Sequence, residues 1–244
     1  MSYPKDLLAD CCLVTICLLL LTEQSVLAQD TKSGPSDNGY KIGESADLKK
    51  PVKASKNTLK NELQQMARFE DLQGNVTWRA DETASWQKAR RKQHPGIGAQ
   101  VWVTGGGHAE LRFQDGSLLR LGNGAVVTLQ AIAREASDEV TRIKMSSGLA
   151  TVITNQESSV YGINTLFIAV KVSGRSRVRI GVADTVEVGV RHGQAAVEGK
   201  QGKTVLHAGS FISVRSKEAP YDVRGLPRPD AWEFWNDERD YHTH

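Results

Sequence analysis

Cysteine is nearly missing from this chain of 244 residues. All three, Cys11, Cys12 and Cys17, fall in the first 17 positions. If that stretch is removed, a disulfide framework, a thiol nucleophile and a thiolate metal site are all excluded. Long apolar runs are also lacking. The run at residues 11–21 is about 11 residues, well short of the roughly 20 that a spanning helix needs, and no second one follows. A strong excess of either charge is missing too, with 31 Lys and Arg against 28 Asp and Glu for a net +3. That balance fits a soluble protein with ordinary surface charge better than a binder of polyanions.

The N-terminus has the order of a secretory signal: Lys5, the apolar run, the polar residues Thr22 to Ser25, then Val26-Leu27-Ala28 with small residues at the cleavage position. Cleavage after Ala28 leaves Gln29 first and shifts the net charge from +3 to +5. An uncleaved anchor is the rival reading. A lipoprotein does not fit, because Cys11 and Cys12 open the apolar run instead of following it.

Four segments follow: a signal at 1–28, a linker at 29–67, a β domain at 68–216 and a tail at 217–244. The linker is rich in Ser, Gly, Asp and Lys and buries too little to offset its ordering entropy. Asn57 caps a possible short helix with Leu59, Leu63 and Met66 on one face. From residue 68 the period is two. Ala109, Leu111 and Phe113 share a face, as do Ala125, Val127 and Leu129. The same holds for Leu149, Thr151 and Ile153, for Leu166, Ile168, Val170 and Val172, and for Val178, Ile180 and Val182. Turn signals such as Asp115-Gly116, Gly122-Asn123-Gly124 and His192-Gly193 separate the runs. The gaps leave little room for crossover helices, so the fold class is all-β: an antiparallel sandwich or a solenoid-like coil, with a short C-terminal helix. Residues 131–139 read as a short helix or a long loop.

Residues 72–214 resemble the FecR domain of bacterial envelope proteins. Gly74-Asn75-Val76-Thr77 opens the pattern, followed by Trp86 and by Val101-Trp102-Val103-Thr104-Gly105. The most telling stretch is Ala109-Glu110-Leu111-Arg112-Phe113-Gln114-Asp115-Gly116-Ser117-Leu118-Leu119-Arg120-Leu121-Gly122. Gly148-Leu149-Ala150, the strand from Val190 to Val197, and Leu206-His207-Ala208-Gly209-Ser210 complete it. The tail from Pro229 to Asp240 is similar to a Trp-bearing segment that follows the domain in soluble members. The family's central Thr-Pro segment departs here: residues 162–177 keep Thr165 and Gly174 but lack the proline.

The resemblance implies a non-enzymatic protein, periplasmic or secreted, acting as a binding or signal-relay module. Its partner would be an envelope protein or a cell-wall glycan. The latter corresponds to a cell-wall or polysaccharide-associated role. Direct contact with a sigma factor is not expected, since only 28 residues precede the cut. Nucleic acid is not expected as a partner, nor is a cofactor or metal.

The residues themselves offer no catalytic constellation. The six histidines are scattered, and His242 with His244 makes only two ligands at a terminus. The glycine clusters do not open helices as phosphate loops do. Asp115-Gly116 suits a tight hairpin, with Arg112 and Arg120 on a solvated outer strand face. Trp232, Phe234, Trp235 and Arg239 form the candidate interaction surface. Trp232 and Trp235 share a helix face, with Arg239 one turn on. Stapling the tail to the β-body and presenting a surface to a partner or glycan are the two roles open to them.

Overall fold

Period-two alternation builds long strands here, and positive-φ glycines near their middles bend them. The computed structural model describes residues 66–133 and 140–242, all within one unit spanning 51–244. The expected leader and linker, the helix positions Leu59 and Leu63, and residues 134–139 lie outside the described residues. Met66 forms an isolated bridge with Gly96.

The strands are β1 (Arg68–Arg79), β2 (Gln87–Lys88), β3 (Gln100–Arg112), β4 (Leu118–Leu121), β5 (Val126–Ala131), β6 (Thr141–Thr154), β7 (Val160–Asn164), β8 (Ala169–Val182), β9 (Val186–Gly199), β10 (Gly202–His207), β11 (Ser210–Val214) and β12 (Asp222–Gly225). One helix, α1 (Ala231–His242), ends the described chain. The fold is all-β with a short C-terminal helix.

Each long strand divides its pairing between two layers. The second half of β3 pairs with β4, while its first half pairs with β5. The second half of β6 pairs with β8 and its first half with β5 and β7. The first half of β9 pairs with β11 and its second half with β10. A first layer thus runs β12-β11-β9-β8-β6-β4-β3-β1. The second runs β2-β1-β3-β5-β6-β7-β8-β9-β10.

The bends of β1, β3 and β6 align at one end of the sandwich, and those of β8 and β9 align at the other. Gly148 in β6 has φ 85°, and a Cβ there would strike the backbone of Gly124 and Ala125. Gly193 in β9 has φ 72°, with the backbone carbonyl of Arg175 and the Ser176 hydroxyl against it. Only glycine meets both demands, a left-handed backbone and an adjacent chain. Bending at opposite ends closes the sheet on itself and leaves one continuous core, in which Leu111, Val152 and Ile180 of the first layer pack with Val103, Ile143 and Val172 of the second.

One pairing departs from the antiparallel expectation: β7 runs parallel to the first half of β6. The reason is positional. β6 finishes in the first layer, the chain crosses to the second at that same end, and β7 must then run the way β6 began. The phase of alternation also differs in β6. Ala150 and Val152 enter the core, while Leu149, Thr151 and Ile153 point outward. Both phases there are largely apolar, so the pattern alone did not choose between them, and α1 covers the outward set at Thr151. Leu166 lies before β8 and is exposed.

Candidate functional site

Strand register sets one row of side chains across the outer face of the first layer. Asp71 pairs with Glu110, Glu110 with Arg120, Arg120 with Thr151 and Thr151 with Arg179. Side chains directly opposite on adjacent strands project from one face, about 5 Å apart. The outcome is an acidic, acidic, basic, hydroxyl and basic sequence crossing five strands, with Arg177 and Arg191 beside it.

The helix lies over this row. Asp230 caps it, its carboxylate accepting from the backbone N–H of Glu233 at 3.1 Å while gripping Arg179 through both oxygens at 2.9 and 2.7 Å. Those hydrogen bonds from Arg179 hold the Asp230 carboxyl below the usual carboxylate range. Glu233 is buried and meets Arg191 at 3.1 Å, Arg177 at 3.2 Å and Arg179 at 3.5 Å. Asp240 bridges Arg120 at 2.7 Å and Arg177 at 3.0 Å. Arg120 is 0% exposed. It also binds Glu110 at 2.8 Å and donates to the Asn236 backbone carbonyl and side-chain oxygen at 3.1 and 3.2 Å. The solvated strand face expected for Arg120 is therefore corrected: the tail helix shuts it away from water. Arg112 stays half-buried at the rim, 3.6 Å from Glu70.

The four candidate surface residues divide. Trp232 is buried, its indole N–H donating to Thr151 Oγ1 at 2.9 Å, and its ring sits where a Cβ on Gly122 would collide. Trp235, Trp232 and His108 form a three-ring cluster, with centroids 5.0 Å (Trp232–Trp235), 4.5 Å (His108–Trp235) and 5.6 Å (His108–Trp232) apart. Burial, and next the charge of Arg239, push the His108 imidazole below its usual value. Arg239 binds Asp71 at 2.7 Å and Glu110 at 3.4 Å. Phe234 faces outward at 63% exposure. Beside the helix N-terminus opens a cleft of about 480 Å³, lined by Arg191, Arg224, Arg228, Phe211, Leu226 and Glu233 among others.

Sequence reasoning did not single out Asp230, Glu233, Asn236 and Asp240, or the arginines at 177, 179 and 191. The available signal was complementarity: alternate arginines on β8 and β9 against carboxylates three to four residues apart on a short helix. Asp115 was also read too simply. Its turn is the expected hairpin, with Gly116 at φ 79°. Its carboxylate additionally accepts from the Ser117 backbone N–H at 2.9 Å, the Ser117 hydroxyl at 2.8 Å, the Ser159 hydroxyl at 2.6 Å and the Tyr161 hydroxyl at 2.9 Å. That knot ties the two layers together at one end. Burial, then the Asp115 charge, raises the Tyr161 phenol far above its ordinary value.

Among the described residues no group of three or more His, Cys, Asp and Glu is placed to hold a metal. No described helix is long and apolar enough to cross a membrane.

No curated protein matches this chain. Two crystal structures of a candidate anti-sigma factor from Parabacteroides distasonis ATCC 8503 are similar to it. Each has 21% identity and a TM-score of 0.45, over 52% of this chain and 59% of the other. The chain thus spans about three-fifths of the length of that protein. The family model described as FecR protein matches residues 99–196, from the start of β3 into β9. It takes in Glu110, Arg120, Arg177, Arg179 and Arg191, while their tail partners, Arg239 for Glu110 and Asp230, Glu233 and Asp240 for the arginines, lie outside it. The likeness to the FecR family is thus one of residues 99–196, about two-fifths of the chain.

Proposed function

We propose that this protein is an exported, non-enzymatic binding or signal-relay module of the bacterial envelope, docking a protein partner on the outer side of α1. Export is supported by the leader pattern with its cut after Ala28, and relay by the FecR match. The observation that carries the docking surface is Phe234. A large apolar ring exposed on a helix that ion pairs hold rigidly is the anchor a protein interface uses, because little ordering entropy remains to be lost. The adjoining cleft offers Arg224 and Arg228 to acidic groups of the same partner. A non-enzymatic role is supported by the way the titratable side chains meet. Glu110, Glu233 and Asp240 are neutralised by Arg120, Arg177, Arg191 and Arg239, and a catalytic carboxylate needs a freer environment.

The test is a photo-crosslinker at position 234 in cells, with sacculi sedimented in parallel. Capture of an envelope protein, lost in Phe234→Ala while the melting temperature holds, is the expected result. Pelleting with sacculi and no captured protein favours the cell-wall role instead. Recovery of intact chain from cytosol with Met1 retained would sink the export reading.

A further inference from the structure

The near-balance of charge in the sequence hides a segregation between the two faces. On the first layer, Arg120, Arg177, Arg179, Arg191 and Arg239 all meet carboxylates. Among the described residues the outer face of the second layer carries no helix, and its cations differ. Arg142 and Lys144 on β6, Lys171 on β8 and Lys203 on β10 are exposed and enter no ion pair among the described residues. Among the described residues Glu198 is the carboxylate that stands with them, opposite Lys203 in register.

Register explains the shape of this face. Arg142 pairs with Gly162, Gly162 with Lys171, and Lys171 with Ala196. Asn164 pairs with Ala169 and Ala169 with Glu198. Gly162, Ala169 and Ala196 therefore floor a shallow trough of about 210 Å³ between longer rim side chains. The strands carrying cations alternate with strands carrying small or neutral ones, so successive cations stand about 10 Å apart across the sheet.

On the same face, nearer the other edge, two tryptophans lie open. Trp86 is 40% and Trp102 43% exposed, edge to face at 5.9 Å. The Arg79 guanidinium sits 4.9 Å over the Trp86 ring and donates to Gln100 at 2.8 Å. Past Arg79, the Asp81 carboxylate accepts from Thr83 and Ala84 of its own loop.

We propose that this open face binds an extended anionic polysaccharide, its sugar rings stacking at Trp102 and Trp86 and its carboxylates meeting Lys144, Lys171 and Lys203. The electron-rich ring face attracts the polarised C–H groups of a sugar. Gln100, Thr128 and Asn164 line the way between, offering amide and hydroxyl partners for sugar hydroxyls. The sparse cation spacing suits a chain with one charge per disaccharide better than nucleic acid, whose phosphates come more densely. This goes beyond the relay role and uses the opposite face from α1, so either stands without the other.

The experiment is native electrophoresis of the mature protein through gels containing hyaluronan, which carries one carboxylate per disaccharide, with neutral dextran as control. Anionic phospholipid vesicles and single-stranded DNA serve as competitors. Retardation by hyaluronan alone is expected. Trp102→Ala should raise the apparent Kd about tenfold, and Lys171→Glu with Lys203→Glu should abolish retardation, with melting temperatures unchanged because all three side chains are exposed. Trp102→Tyr, which keeps an aromatic face, should restore most of the binding. No retardation, equal retardation in dextran, variants that bind like the parent, or stronger competition by vesicles or DNA at matched charge would each overturn the proposal.

Discussion

Removing the Arg120 side chain is the sharpest perturbation of the way α1 is held. Arg120→Ala deletes a fully buried guanidinium that touches Glu110 at 2.8 Å, Asp240 at 2.7 Å and two oxygens of Asn236. Glu110 is 3% exposed and keeps only Arg239 at 3.4 Å. Breaking a buried pair from one side costs about 3–5 kcal/mol, since the remaining charge has neither partner nor water. For a body of this size that is a fall in Tm of roughly 6–20 °C. The cost has a ceiling: once it exceeds the docking energy of α1, the helix lifts and water reaches Glu110. A chain ending at Arg228 measures that ceiling. Thermal melts by circular dichroism, with the emission of Trp232 and Trp235 followed in parallel, separate undocking from global unfolding. Arg120→Met combined with Glu110→Met should recover much of the loss, because an apolar pair of similar volume carries no desolvation penalty. If Arg120→Ala melts within about 0.5 kcal/mol of the parent with unchanged indole emission, the clamp carries no weight and the reasoning fails.

Other substitutions probe separate contacts. Gly122→Ala places a methyl group 2.9 Å from the Trp232 ring and should expel the helix while leaving the β-sheet signal intact, read as a red shift in emission before any loss of ellipticity. Asp115→Ala strands the hydroxyls of Ser117, Ser159 and Tyr161 and should cost at least about 3 kcal/mol at roughly 1–3 per lost partner, with Asp115→Asn recovering part of it in urea titrations. The pH dependence should show two limbs. The folded His108 value lies below the unfolded one of about 6.5, so stability is lost as pH falls through that region, and His108→Phe should remove this limb. The Asp230 carboxyl is also depressed on folding, so its contribution is present above about pH 4 and disappears below it. Asp230→Asn should flatten that acid limb of the melting curve.

The strands were legible because apolar residues at every second position have one dominant structural outcome. Val178, Ile180 and Val182 lie in the core as the pattern required. Sharing of each strand between two layers was not legible, although the glycines that allow it stood in the turn signals. A glycine reads the same whether it ends a strand or bends one, and only the neighbouring chain at Gly148 distinguishes the cases. The phase of β6 failed for a similar reason: Leu149, Thr151 and Ile153 look as apolar as their neighbours. The tail helix was visible from Trp232 and Trp235. The ion pairs beneath it were not, because Arg120 and Asp240 are 120 positions apart, with eight strands between them.

That long separation also sets the order in which the molecule is finished. A polypeptide made from its amino end completes β3 and β4 long before residue 240 exists. Until then Glu110 and Arg120 lie on a bare sheet open to water and to any other protein nearby. A stop codon or a protease cut between Arg228 and Ala231 would leave every strand in place and yet return the molecule to that unfinished condition.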